Sequence, residues 1–333
     1  MNRTAASSRP LAFAAGCAAL LAAAAASAGQ QMQGQQMQGQ QMQGQQMQGT
    51  SLDGAPVTPA EPPVASQYAG WMSGQRVLGT ARLDKGVLSV ATRRGVLSGA
   101  ALIGAVVPST RGAEQVAIVI RDVQPDPTFP EGGTALYAVD VLAADGTGQP
   151  LCRTDAHGVA AAIPVAATWN EHGDRVESSS RFTFACTAGV IAKCYRWGYR
   201  PWLDGGGGNT FSQLHQSCTR MARADYCGDG HTNTFEGTLI NLLDTSPAPG
   251  PLTSHGPADP TFFFEAGWAP QGAVCLSKQR WVTLPPDVAA RCPDRLVAPG
   301  ASTGVATVCD TDSDALLFDA STNLFNESRL NTK

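Results

Sequence analysis

Apolar and polar positions alternate through much of this chain. Val116, Ile118 and Ile120 alternate with their neighbours within Val116 to Val123, and Ala135 to Leu142 alternates around Tyr137 and Val139. Phe182 and Phe184 do the same within Arg181 to Cys186. A period of two places successive side chains on opposite faces of a strand, and Gly132-Gly133, Asp145-Gly146 and His172-Gly173 supply the turns between such runs. Leu239 to Leu243, Phe262 to Trp268 and Val274 to Val282 predict further strands. One stretch breaks the rule. Phe211, Leu214, Cys218, Met221 and Ala222 recur at helical intervals, and Thr210 with Gln213 forms a capping box, so Phe211 to Arg223 reads as a helix with a cysteine on its buried face.

The N-terminal sixty residues follow neither pattern. Arg3 and Arg9 precede an almost unbroken small-apolar run from Leu11 to Ala26, and Ala26-Ser27-Ala28 fits a signal-peptidase site. A retained membrane anchor is the first alternative. A lipoprotein cleaved before Cys17 is the second; it is disfavoured because the apolar run continues past the cysteine. No later segment is long and apolar enough to span a bilayer. From Gln30 to Gly49 the pentad Gln-Gln-Met-Gln-Gly recurs four times in register. A pentapeptide solenoid would need a small inward residue where Gln30 and Gln35 stand, and several stacked turns, so the tract is expected to be a disordered spacer. The prolines from Pro56 to Pro63 extend it as a stiff linker.

Cysteine usage agrees with export. The chain has nine cysteines, and setting aside Cys17 leaves an even number: Cys152, Cys186, Cys194, Cys218, Cys227, Cys275, Cys292 and Cys309. These are disulfide candidates for an oxidising compartment, with on the order of 100 pairings open. None has the close spacing of a structural zinc site, so no metal and no cofactor is expected. A net charge of -4 gives no electrostatic footprint for nucleic acid. Only 15% of residues are charged against 36 glycines and 22 prolines, which fits a loop-rich exported protein: secreted, periplasmic or at the cell surface.

The expected fold class is therefore α+β and β-rich: a single disulfide-linked domain of short strands with one main helix at about 210–223, preceded by a disordered repeat tract. A signal peptide at 1–28, the repeat and linker at 29–67, and a β-rich portion at 68–135 lead into the main domain at 136–310, followed by a polar tail at 311–333.

The densest chemistry lies in Cys218 to His231, which holds two cysteines, two arginines, two aspartates, a tyrosine and a histidine, including Ala224-Asp225-Tyr226-Cys227. With Phe182 to Cys186, Ala192 to Trp202, Phe264 to Trp268 and Gly272 to Cys275, this segment resembles the ADYC domain, a bacterial family named for that tetrapeptide. The resemblance covers about Leu136 to Cys292 and implies an exported protein; it carries over no catalytic residues.

Four chemistries compete for these residues. Asp225, Asp229 and His231, with His215 joining from the helix, would suit acid–base hydrolysis, with or without a metal. Against this stands a structural loop in which Asp225 pairs with Arg223 or Arg196. Cys194 or Cys227 with His215 or His231 would make a nucleophilic pair, opposed by simple bridging. On a strand, Tyr195, Trp197 and Tyr199 would share one face and, with Trp202, offer a platform for a carbohydrate or protein ligand; the alternative is core. The neighbouring Asp204 to Asn209 is expected to be a mobile loop. Asp310, Asp312 and Asp314 alternate like the start of a calcium loop but lack its glycine and closing glutamate. The leading expectation is a non-enzymatic binding or structural module, with the hydrolase as its rival.

Overall fold

The computed structural model describes residues 45–47, 54–57, 76–77, 80–84, 86–92, 95–111, 114–128, 134–142, 147–155, 157–177, 181–203, 211–235, 238–244, 261–281, 288–292, 309–318 and 321–329. The signal segment, Cys17, most of the pentad tract, Thr210, Asp204–Asn209 and the proline-rich stretch Pro247–Pro260 lie outside the described residues.

Strands dominate. The larger sheet runs in the order Gly54–Val57, Phe182–Cys186, Ala162–Val165, Ala135–Leu142, Glu114–Pro125, Ala105–Arg111, Arg76–Val77, with Gly148–Pro150 added beside Ala135–Leu142. Only the last pair on that path is parallel. A second sheet runs Gln45–Met47, Thr238–Asp244, Leu324–Arg329, Phe262–Ala269, Gly272–Leu276 and is antiparallel throughout. Two further units among the described residues are a three-stranded meander (Thr80–Asp84, Val87–Thr92, Gly95–Ser98) and the hairpin of Ala167–Trp169 with Arg175–Glu177. Among the described residues the α-helices are α1 (Val190–Arg196), α2 (Phe211–Arg223), α3 (Val288–Arg291) and α4 (Asp312–Phe318).

Two hydrophobic cores share the middle strands of the larger sheet. Phe182, Phe184 and Cys186 face a core with Leu88, Val90, Leu102, Ile118 and Tyr137, while Ala185, Ile163 and Val165 face the core of α1, α2 and the second sheet. Period-two alternation therefore survives in a strand whose every residue is buried, because both faces are covered.

Several expectations change here. The polar tail at 311–333 supplies Leu324–Arg329, an inner strand of the second sheet flanked by Thr238–Asp244 and Phe262–Ala269. Asn326 is buried there because it serves other buried groups: it accepts from the Trp268 indole at 2.7 Å and donates to Glu265 at 2.7 Å. The spacer contributes two short strands at sheet edges, Gln45–Met47 and Gly54–Val57. Residues 135 and 136 begin a strand paired to Glu114–Pro125, so the expected boundary there cuts through one sheet. Tyr195 lies on α1 instead of a strand, since Val190–Arg196 is helical.

All eight cysteines are bridged, as Cys152–Cys186, Cys194–Cys218, Cys227–Cys292 and Cys275–Cys309. The widest spans 65 residues and would stabilise the fold by about 4 kcal/mol through loop closure alone. Cys194–Cys218 joins α1 to α2, and one turn earlier on each helix the His215 ring bonds the Ile191 carbonyl at 3.0 Å.

The meander docks on the same region through Gly86, at φ +79°. A methyl group there would lie 2.4 Å from the Tyr195 hydroxyl and 2.5 Å from the edge of the Trp202 ring. Gly86→Ala is therefore expected to cost about 2–3 kcal/mol in chemical denaturation, from backbone strain and overpacking together. A loss below about 0.5 kcal/mol would show that the meander does not seat there.

Candidate functional site

The segment richest in reactive side chains begins where α2 ends. Its residues bury on almost every side; only Ser212 and Gln213 escape. A helix with His215, Gln216, Thr219, Arg220 and Arg223 among its buried residues must find partners for them, or each unpaired group costs about 1–3 kcal/mol. The hairpin of Ala167–Trp169 and Arg175–Glu177 lies across this polar face. Gln216 donates to the Gly173 carbonyl at 2.9 Å. Arg220 donates to the His172 carbonyl at 2.6 Å and to the Pro270 carbonyl at 3.1 Å, and it also pairs with Asp174.

The chain leaves α2 through a left-handed residue that is not glycine, Ala224 at φ +49°. The Asp225 amide bonds the Arg220 carbonyl at 2.9 Å and the Ala224 amide bonds Met221 at 3.0 Å, the two closing bonds of a Schellman cap. That turn points the Asp225 carboxylate back under the helix end. It accepts from Arg220 at 2.6 Å and from the amides of Asp229 and Gly230, both at 3.1 Å, with Arg223 at 3.8 Å. Burial pushes this carboxyl above its usual range, and the two arginines pull it back only in part.

Tyr226 turns the other way. Its hydroxyl donates to Glu265 at 2.9 Å, and its ring stacks on Trp268 at 5.4 Å. Arg280 closes on the same carboxylate at 2.7–2.9 Å and bonds the Met221 carbonyl at 2.9 Å. Burial, with Glu265 adding to it, holds the Tyr226 phenol well above its ordinary value, so it remains a donor. The sequence reading missed this network. An acidic residue inside the apolar run Phe262–Ala269 was the available signal, because a buried carboxylate requires a cation.

The proposed catalytic set does not converge. Asp225 is wholly buried and its oxygens are engaged, whereas the side chains of Asp229 and His231 are 36% and 69% exposed. The latter two meet at 3.1 Å on the surface, and Arg291 lies 3.6 Å from Asp229. Partial burial raises the Asp229 carboxyl, but the His231 amide and ring together with Arg291 bring it below the ordinary range. Arg196 does not pair with Asp225; it bonds Asp126 at 3.1 Å and lies 3.6 Å from Asp155. His215 is fully enclosed, and burial, with the Arg175 charge, lowers it to about 3. Neither Cys194 nor Cys227 is a free thiol, which removes the Cys–His pair.

The aromatic row is core. Tyr195, Trp197 and Tyr199 are buried, and only Trp202 keeps part of its surface, next to exposed Leu203. Tyr195 faces Trp202 edge-on at 5.1 Å, and Tyr199 donates to Asp244 at 2.9 Å. Thr311 caps α4 by accepting from the Asp314 amide at 3.1 Å, and Asp314 accepts in turn from the Thr311 hydroxyl at 2.7 Å and the Asp310 amide at 3.2 Å, so Asp314 serves the start of a helix. Among the described residues, no group of three or more His, Cys, Asp or Glu side chains is placed to hold a metal ion. Nor is any described helix long and apolar enough to cross a membrane.

A family model described as the ADYC domain matches residues 99–282, more than half of the chain. The match starts ahead of the segments that carry the resemblance and takes in the strands Ala105–Arg111 and Glu114–Pro125. No curated protein and no solved structure matches the chain.

Two outcomes test the site. Asp225→Asn should destabilise by about 3–5 kcal/mol, since it removes the buried one of the two carboxylates that pair with Arg220 and leaves only the half-exposed Asp174, while Asp229→Asn should change stability by less than about 1 kcal/mol. Equal effects in urea titrations would contradict this division. For His215 the folded value near 3 lies below the unfolded value of 6.5, so the folded state binds fewer protons between them. Its stabilisation is full above pH 6.5 and fades as pH falls towards 3, on the order of 5 kcal/mol in all. Stability curves for His215→Gln should be flatter than wild type across that window.

Proposed function

The chain belongs to the ADYC domain family, and on that premise we propose that it is an exported, non-enzymatic binding module. One observation carries the reading: the motif's polar groups are occupied in holding the fold. Asp225 accepts from Arg220, Asp229 and Gly230, and Tyr226 donates to Glu265. Groups so engaged are poor general acids or bases, because reaching a substrate proton would mean abandoning buried partners. Export is supported by the signal-like residues 1–28 and by four disulfides that use every cysteine beyond them.

The contact face in this reading is the corner of Pro201, Trp202 and Leu203, which combines a fixed, partly open indole with an exposed leucine. An indole held edge-on by Tyr195 and backed by Gly86 loses little freedom on binding, and its open surface suits a sugar ring or an apolar peptide side chain. Arrays of bacterial polysaccharide fragments and of peptides, probed with the purified chain, test this directly. Binding should fall at least about tenfold with Trp202→Ala while the circular dichroism spectrum is kept. Unchanged binding by that variant would sink the contact face. Turnover of ester, phosphate or peptide substrates that disappears in Asp229→Asn would sink the non-enzymatic reading.

A further inference from the structure

The four disulfides sit in unequal surroundings. Cys194 and Cys218 are fully enclosed at 0%, Cys275 and Cys309 are at 1% and 2%, and Cys152 and Cys186 at 5% and 2%. Cys227 and Cys292 are each at 8%, the most accessible pair. Cys227 belongs to the loop that leaves α2, and Cys292 immediately follows the four-residue helix α3. A cation also stands beside this bridge: a guanidinium nitrogen of Arg291 lies 3.8 Å from Cys227 Sγ.

The two sulfurs of this bridge are not equivalent. Cys292 Sγ lies 3.0 Å from the Val288 carbonyl, one helical turn back, and Cys227 Sγ is 3.7 Å from the same oxygen. After reduction, a thiol at Cys292 can donate to that carbonyl and so keeps its proton. A thiolate at Cys227 gains the Arg291 charge. The leaving sulfur of a disulfide departs faster as its thiol becomes more acidic, and a neighbouring arginine has that effect.

We propose that Cys227–Cys292 is a thiol–disulfide exchange site whose co-reactant is a low-molecular-weight thiol. The incoming thiolate attacks Cys292 Sγ, forming a mixed disulfide and expelling Cys227 as a thiolate. A second thiolate then displaces Cys292 Sγ from the mixed disulfide. The two small thiols are oxidised to their disulfide, the protein disulfide gains two electrons, and solvent supplies the proton for Cys292. Asp229 sets the strength of the effect, because its carboxylate lies 3.6 Å from Arg291 and draws on the same charge. Arg291 also donates to Asn233 at 3.4 Å, which keeps it at the loop. The site does not depend on what the module binds.

The test is timed reduction of the full exported chain with glutathione, quenched by alkylation and mapped by peptide mass. Cys227 and Cys292 should become labelled first, with the other six cysteines protected. Arg291→Gln should slow that step about three- to tenfold, Arg291→Lys should stay near wild type, and Asp229→Asn should accelerate it. The lysine variant and the surface change at Asp229 separate a charge effect from a loss of folding. Another bridge opening first would overturn the proposal, as would equal rates for the glutamine and lysine variants or no acceleration by Asp229→Asn.

Discussion

Arg220 carries a guanidinium into a place where almost none of its surface meets water, and the end of α2 is organised around that charge. Stripping water from such a group costs several kcal/mol and is tolerable only if protein acceptors replace what was lost. They come from three separate stretches of chain. The hairpin gives the His172 carbonyl and Asp174, the turn between two strands of the second sheet gives the Pro270 carbonyl, and the loop beyond the helix gives Asp225. The hairpin and the sheet turn close on their own strand pairings and the loop on the helix end, and Arg220 is where all three meet. The charge therefore acts as the common point to which hairpin, sheet and loop are referred, and the polar face of α2 becomes an interior surface.

The tetrapeptide that names the family follows from the same requirement. Ala224 takes the left-handed turn that brings the carboxylate back beneath the helix, and it is small enough to be enclosed there. Asp225 meets the arginine. Tyr226 carries the chain into the second core, where Glu265, Arg280 and Asn326 form a buried polar set against Trp268. Cys227 ties the loop to α3. Each of the four positions has a distinct mechanical task, which is why a motif that looks like an active site in a linear sequence presents so little reactive surface. What remains outward is the loop's far side, with Asp229, His231 and Arg291, and the Trp202 corner backed by the meander.

Local patterns determined much of the secondary structure. Ala135–Leu142 and the helix Phe211–Arg223 follow directly from periods of two and of helical spacing, and the even set of cysteines implied bridging. These features depend on neighbours along the chain, so a sequence displays them. Tertiary structure decided which surfaces were interior. Leu324–Arg329 looks polar because Asn326 and Ser328 are polar, yet it is an inner strand whose Asn326 bonds Trp268 and Glu265 from far along the chain. Tyr195 to Tyr199 alternates aromatic and other residues as a strand would, but the helix beginning at Val190 and the bridge to α2 override that pattern. The polar face of α2, Asp225 and Glu265 share one physical reason for being unreadable. A charged side chain goes inside only where distant segments supply its counter-charge and hydrogen bonds, and their arrival is a property of the folded chain alone.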